Sequence, residues 1–249
     1  MDIQQATTVA INQSGAEKSP ESTPEFFSPQ YGLEIDEYIR REDRQPIYHL
    51  SRYHWAKGVL GLYSPEKILD IACGAGYGSF ILASHLNQAT VLGADYDVRG
   101  IEMARQTYGR ENLSYRFGSM VTWECEHGGS TEPLGSYDAI VSFDTIEHLL
   151  HREIALIRIT QNLSSKGVFL MSTPCGHQIT QLEPEWEHHK IEYSYVDLQN
   201  LLKRFFGKVL LPEEGNLPNM EYWDNVVNKG KLRYLNLSNP VVCADPIKY

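Results

Sequence analysis

Apolar and polar positions along this chain follow two alternating periods. The runs KILDIAC (67–73), TVLGADY (90–96), LSYRFGS (113–119), YDAIVSF (137–143), GVFLMST (167–173) and KVLLPE (208–213) are short and mostly apolar, as buried strands are. VVCAD (241–245) reads as a last strand. Between them, residues 78–85, 98–108, 145–163 and 195–206 repeat apolar residues at helical spacing, with Leu149, Ile154, Ile157 and Leu163 along one face of the third. Pro174 is expected to end the 167–173 strand. Strands and helices in this alternation predict an α/β fold, a doubly wound and mostly parallel sheet with helices on both faces.

The flanks follow other patterns. In residues 31–62, Ile47, Leu50, Tyr53, His54 and Ala56 lie at helix-like spacing and Pro46 can open a helix, so one or two helices precede the sheet. Residues 1–28 are rich in Gln, Ser, Thr, Pro and Glu and read as a disordered or loosely docked arm, which leaves 29–249 as a single domain. Residues 215–239, with Pro218, Tyr222 and Trp223, read as an irregular insertion, either a flap over a site or a contact surface.

Charge and composition narrow the partners. The 249 residues carry a net charge of −10, which argues against a nucleic-acid partner, because phosphate neutralisation needs a basic face. Cys73, Cys125, Cys175 and Cys243 form no CxxC pair and suggest reduced thiols. There is no basic-then-apolar leader and no run near the roughly 20 apolar residues that span a bilayer. These features predict a soluble, cytoplasmic protein that does not engage a membrane.

The first strand ends in DIACGAGYGS. Gly74, Gly76 and Gly78 stand at alternate positions before a helix, where a ligand can approach the backbone closely. The second strand ends in Asp95, near the roughly 20-residue offset at which a carboxylate accepts ribose hydroxyls. Ser79 stands where a dinucleotide fingerprint has its third glycine, which weakens a nicotinamide reading.

These residues resemble those of a known family. ILDIACGAGYGS is similar to motif I of the class I S-adenosylmethionine-dependent methyltransferases. VLGADYD resembles their second motif, YDAIVSFDTIEHL the fourth-strand motif and LSSKGVFLMSTP the fifth. The resemblance runs from residue 48 to about 210 and implies a seven-stranded Rossmann-like sheet whose last strand is antiparallel, with S-adenosylmethionine across the ends of the first strands. It implies that Ala72, Gly74 and Gly76 line the methionine moiety, that Asp95 holds the ribose and that Tyr96 lies beside the adenine. Gly118, Ser119 and Met120 would bound the adenine, and Phe143 would close the floor. YHLSRYHWA resembles the helix ahead of motif I in members acting on sugars and other small molecules, where Arg52 and Tyr53 approach the methionine end; core packing is the other reading of Tyr53.

Methyl transfer to an alcohol needs a base near the oxygen, or a metal that lowers the hydroxyl pKa. SFDTIEHLLH (142–151) offers Asp144, Glu147 and His148. Asp144 and Glu147 fit a capping box that starts the 145–163 helix. The three also share one helix face at the carboxyl end of a strand, where ligands bind in open α/β sheets. Downstream, His188 and His189 precede an amphipathic helix with Leu198, Leu201, Leu202 and Phe205. That segment resembles the acceptor-side loop of small-molecule and glycan O-methyltransferases. It also resembles the metal-dependent small-RNA terminal 2′-O-methyltransferases, whose pattern carries over to Asp144, Glu147, His148 and His189 as ligands of Mg²⁺, Mn²⁺ or Zn²⁺. Asp144 departs from it, standing one CH₂ short of a glutamate. The expected activity is O-methylation of a small molecule or sugar, with His148, His189 and Glu147 as the catalytic candidates. N-methylation and metal-dependent RNA 2′-O-methylation are the alternatives.

Overall fold

Strand β1 (Lys67–Ile71) shows how the sheet is buried. Side chains alternate across a strand, so Ile68 turns to one face of the sheet while Leu69 and Ile71 turn to the other. Both faces are apolar because both are covered by helices. In the computed structural model, which describes residues 27–212, 215–232 and 237–248, the elements after β1 are α3 (Tyr77–His85), β2 (Thr90–Asp95), α4 (Val98–Thr107) and β3 (Leu113–Ser119). The hairpin β4 (Glu124–His127) and β5 (Ser130–Pro133) comes next, then β6 (Tyr137–Phe143), a 3₁₀ turn (Ile146–His148), α5 (Arg152–Asn162) and β7 (Leu163–His177). The chain closes with β8 (Tyr193–Ser194), α6 (Tyr195–Lys203), β9 (Phe206–Leu210), α7 (Met220–Lys229) and β10 (Leu237–Pro246). Two helices, α1 (Ile35–Arg40) and α2 (Arg44–Tyr63), precede β1, and Pro46 lies in the first turn of α2, where no amide hydrogen is needed.

The sheet order is β5-β4-β3-β2-β1-β6-β7-β10-β9, with β8 beside β7. Strands β3, β2, β1, β6 and β7 run parallel, and β10 is antiparallel to both β7 and β9. One face packs on α5 and α6 through Leu156, Ile159, Leu198 and Leu202. The other packs on α2, α3 and α7 through Leu50, Trp55, Val59, Leu82, Trp223 and Val226. Strand order reverses beside β1, between β2 and β6, which opens a crevice at the carboxyl ends of these strands.

Several expectations are corrected. Among the described residues the strands number ten rather than seven. Two of the extra ones form the β4–β5 hairpin, whose turn residues Gly128 and Gly129 both have positive φ, as a two-residue hairpin loop demands. The third is the two-residue β8. Strand β7 runs through Pro174 to His177. Pro174 falls between the last pairing to β6, at Ser172, and the first to β8, at Cys175, where one side of the strand needs no amide hydrogen. The 215–239 stretch is not irregular throughout: α7 lies within it and buries Trp223 against α2. Its apolar positions Met220, Trp223, Val226 and Val227 keep helical spacing. The 145–163 helix is broken, with a 3₁₀ turn and then α5 in its place. The arm of residues 1–28 lies, except for Phe27 and Ser28, outside the described residues.

Candidate functional site

The donor side of the crevice is shaped by backbone conformation. After β1 the chain takes left-handed φ at Ala72, Gly74 and Gly76, and Gly76 caps α3. These glycines have different reasons to be glycine. A Cβ on Gly74 would meet nothing within 4 Å, so that surface is open to a ligand. A Cβ on Gly76 would lie 2.4 Å from Ala104 and 2.8 Å from Tyr115, so packing of α4 and β3 excludes a side chain there. At Gly78 it would lie 2.0 Å from the Tyr53 ring.

Asp95 ends β2 with its carboxylate held from below. Oδ2 accepts from Gly74 N at 2.7 Å and Oδ1 from Asp97 N at 2.8 Å. Burial pushes its pKa up to about 6 against the pull of these two N–H donors. A carboxylate has about four acceptor sites, so capacity for a diol remains. Tyr96 is exposed beside it. Gly118 is pinned by the β4 pairing, because a Cβ there would lie 3.1 Å from Cys125. Ser119 Oγ accepts from Val121 N at 3.2 Å, and Met120 is buried in the core below.

Tyr53 and Phe143 meet edge-on at 5.0 Å under the motif I loop. Tyr53 is buried, and its hydroxyl donates to Asp70 Oδ1 at 3.2 Å, while Ser79 donates to Oδ2 at 2.6 Å. Burial raises the Asp70 carboxyl to about 7. Asp70 was absent from the sequence candidates. An acid inside an apolar strand, four positions before Gly74, is the signal that could have found it.

Arg52 and Asp144 join the donor and acceptor sides. The guanidinium, 1% exposed, contacts Asp144 Oδ2 at 2.5 Å and His49 Nδ1 at 3.0 Å and lies 4.2 Å over the Tyr48 ring. Burial, then the adjacent guanidinium, pushes His49 down to about 4. Arg52 Nε and Nη1 are buried without a hydrogen-bond partner among the described residues. Orphaned donors of this kind are costly unless an acceptor arrives.

The acceptor side differs from its expectation most at SFDTIEHLLH. Asp144 takes left-handed φ and caps no helix. Its Oδ1 accepts from Ser172 Oγ at 2.9 Å, and Oδ2 faces Arg52. Glu147 reaches no cap amide. It is fully buried; Oε2 accepts from Thr173 at 2.9 Å, and Oε1 has no hydrogen-bond partner among the described residues. Burial, then the nearby Asp144, holds its carboxyl well above the usual range. The capping-box reading fails because tertiary partners take both carboxylates.

His148 Nε2 lies 3.9 Å from Glu147 Oε1, and its Nδ1 lies 3.2 Å from the His188 carbonyl oxygen. Its ring stands edge-on to that of His189, with centroids 4.8 Å apart. Glu147, His148 and His189 offer ligand atoms that all lie within 4.8 Å of one another. Of the four carried-over ligand positions, Asp144 is the one outside this group, because Arg52 and Ser172 engage its carboxylate. The 186–192 loop is tied to the site by Lys190 N, which donates to the Glu147 carbonyl at 2.7 Å.

The residues present suit S-adenosylmethionine. The open surface over Gly74, the residual acceptor capacity of Asp95 and the orphaned Arg52 donors would meet its backbone-facing, ribose and carboxylate parts in turn. Among the described residues no helix is long and apolar enough to cross a membrane, and all four cysteines are free and buried.

Comparison with known proteins bears on the whole arrangement. A family model described as a methyltransferase domain matches residues 63–229. A probable S-adenosylmethionine-dependent methyltransferase of Mycolicibacterium smegmatis is 32% identical over 112 residues, 44% of this chain and 38% of its own length. A malonyl-[acyl-carrier protein] O-methyltransferase of Bacillus cytotoxicus is 26% identical over 72% of this chain and 59% of its own. The chain thus spans about two-fifths and three-fifths of the length of these two curated relatives. The plantazolicin methyltransferase, solved with a monoazolic desmethyl-plantazolicin analogue and S-adenosylhomocysteine, superposes with a TM-score of 0.58 at 16% identity, over 98% of this chain and 99% of its own, which shows the shared fold. The family model takes in two-thirds of the chain and the carboxyl ends of β1, β2, β3, β6 and β7, and on that match the chain belongs to the class I S-adenosylmethionine-dependent methyltransferase family.

Proposed function

We propose that this chain methylates an oxygen of a small molecule or sugar. The observation that carries the reading is the convergence of His148, His189 and the buried Glu147 at the end of β6, across the Arg52–Asp144 pair from the motif I loop. S-adenosylmethionine supplies, when bound, a methyl group on a sulfonium sulfur. Asp95 holds a ribose diol, Gly74 lets the ligand approach the backbone, and Arg52 offers its orphaned N–H groups to a carboxylate. His189, with His148 beside it, takes the acceptor's hydroxyl proton; an imidazole is suited to that near neutral pH. The Bacillus cytotoxicus relative is named for methylating an oxygen, in keeping with this choice. Four free thiols suit a reducing, cytoplasmic compartment.

Titration calorimetry should show S-adenosylhomocysteine binding to the full chain. Labelled S-adenosylmethionine with a panel of hydroxylated small molecules should yield product. His148→Ala with His189→Ala should lower turnover by about 10²- to 10⁴-fold, the usual worth of a positioned base, while leaving S-adenosylhomocysteine binding intact. Undiminished alcohol methylation by the double variant overturns the base assignment.

A second reading adds a divalent cation held by Glu147, His148 and His189. Its support is the 4.8 Å grouping together with the orphaned Glu147 Oε1. Two imidazoles and a carboxylate suit Zn²⁺ or Mn²⁺, and such an ion would lower the pKa of an acceptor hydroxyl. Elemental analysis of the purified chain should then find about one metal per chain, lost in Glu147→Gln; metal-free protein with full turnover removes this reading.

A further inference from the structure

We propose that Glu192 is a positioning residue, one that fixes His189 with its ring hydrogen on Nδ1 and so makes Nε2 the nitrogen offered to the acceptor. The role in turnover rests on the reading of His189 given above; the geometry does not.

Glu192 bridges two histidines. Its Oε1 lies 2.7 Å from His189 Nδ1 and its Oε2 2.8 Å from His177 Nε2. A carboxylate only accepts, so each facing ring nitrogen carries the hydrogen. That assigns the Nδ1–H form to His189 and the Nε2–H form to His177. Free histidine prefers its hydrogen on Nε2, so for His189 the protein selects the less favoured form. The remaining nitrogen, Nε2, belongs to a ring standing edge-on to His148 and grouped with Glu147. A carboxylate behind an imidazole also stabilises the imidazolium formed when Nε2 takes a proton.

The bridge is built into the fold. Glu192 pairs with Gln181 through two backbone hydrogen bonds of 2.7 and 2.9 Å, which hold its main chain. His177 ends β7, and the pairing of β7 with β8 shifts register between Cys175 and His177. Gly176 between them has φ 102°, and a Cβ there would lie 3.0 Å from the Tyr195 ring, so glycine is required. A bulge at this point re-aims the strand at His177. All three side chains are at least four-fifths buried, at 15%, 18% and 20% exposed for His189, Glu192 and His177, so solvent competes little for these hydrogen bonds.

The test is the hydrogen position on each ring. The full chain, with ¹⁵N-labelled histidine and dialysed against EDTA, is examined near pH 8 by two-bond proton–nitrogen correlation. His177→Gln and His189→Gln assign the signals. The wild type should show His189 with hydrogen on Nδ1 and His177 with hydrogen on Nε2. Glu192→Gln keeps the shape but offers one acceptor and one donor to two rings, so one of them must change form. Glu192→Ala should let His189 relax toward Nε2–H. Each variant should bind S-adenosylhomocysteine within about twofold of wild type, which shows that it folds; if Glu192→Ala does not, the isosteric Glu192→Gln decides. Hydrogen on Nε2 of His189 in the wild type, hydrogen on both its nitrogens at pH 8, or rings unchanged in the folded variants overturns the proposal. Absence of S-adenosylhomocysteine binding by the wild type would instead overturn the methyltransferase reading and leave the ring assignment standing.

Discussion

On the donor side of the crevice, Asp95 ends β2, Gly74 and Asp97 lie in the loops after β1 and β2, and backbone N–H groups hold the Asp95 carboxylate. On the acceptor side, Asp144 is held by Arg52 from α2 and Ser172 from β7, Glu147 by Thr173, and His189 by Glu192. The first arrangement consists of local backbone geometry at strand ends. The second consists of side chains that meet across the fold, apart from the His189–Glu192 pair, which is three positions apart. Backbone geometry constrains residue type tightly, so it is tolerant of little and readable in sequence. A side-chain network can be rebuilt with other partners, which leaves acceptor specificity open to change without disturbing the donor side.

The comparison can be broken most forcefully where the two sides meet. Asp144→Ala leaves the buried Arg52 guanidinium without its counter-charge and should cost about 3–5 kcal/mol, read as a lowered urea midpoint. A loss below about 1 kcal/mol, the level of an exposed pair, would mean that His49 and Tyr48 hold the guanidinium alone and that the two sides stand independently. Next in size, Asp95→Ala should weaken S-adenosylhomocysteine binding about 100-fold, which is about 2.7 kcal/mol. His189→Ala should move it less than about twofold, as expected of a group on the far side of the reacting centre. Equal losses in both variants would erase the distinction.

The glycines sharpen it further. Gly78→Ala drives a methyl into the Tyr53 ring and should destabilise the fold by about 1–3 kcal/mol, seen as a lower melting temperature. Gly74→Ala has open space and only its left-handed φ to contend with, about 1–2 kcal/mol, and its main effect should appear in S-adenosylhomocysteine affinity. A Gly74→Ala protein with unchanged affinity would place the ligand elsewhere.

The last test concerns pH, where the effect is spread over several units. Burial raises Asp70 from 3.8 to about 7 and Asp95 to about 6, so between these limits the folded state binds more protons than the unfolded one. Their contribution to stability is therefore fully present below about pH 4 and is lost as pH rises through 6 and 7, by at most about 1.4 kcal/mol per pH unit for each group. Asp70→Asn should flatten part of this decline in urea melts across pH 4 to 8. A decline unchanged in that variant would put its source at Asp95 or, on the acceptor side, at Glu147, whose carboxyl burial also raises.

The apolar periods, the Gly-rich turn after β1 and the acid ending β2 were legible in the sequence. Each is a local requirement. A buried strand must be apolar on both faces, and a left-handed turn needs residues that tolerate it. The β4–β5 hairpin is equally local, written in Gly128 and Gly129. SFDTIEHLLH marks the limit of such reading. Its D-x-x-E spacing satisfies a capping box as well as any sequence can, yet neither carboxylate caps a helix. Arg52, Ser172 and Thr173 offered Asp144 and Glu147 partners that a helix start could not match in a buried setting, where an unpaired charge is costly. The sequence by itself determined the strand-and-helix frame and the donor loop, because those depend on each residue's own conformational range. Only the tertiary structure decided which of Asp144, Glu147, His148, His177, His189 and Glu192 face one another, because contacts such as His177 with Glu192, 15 positions apart, and His148 with the His188 carbonyl, 40 apart, depend on how the sheet brings its strand ends together.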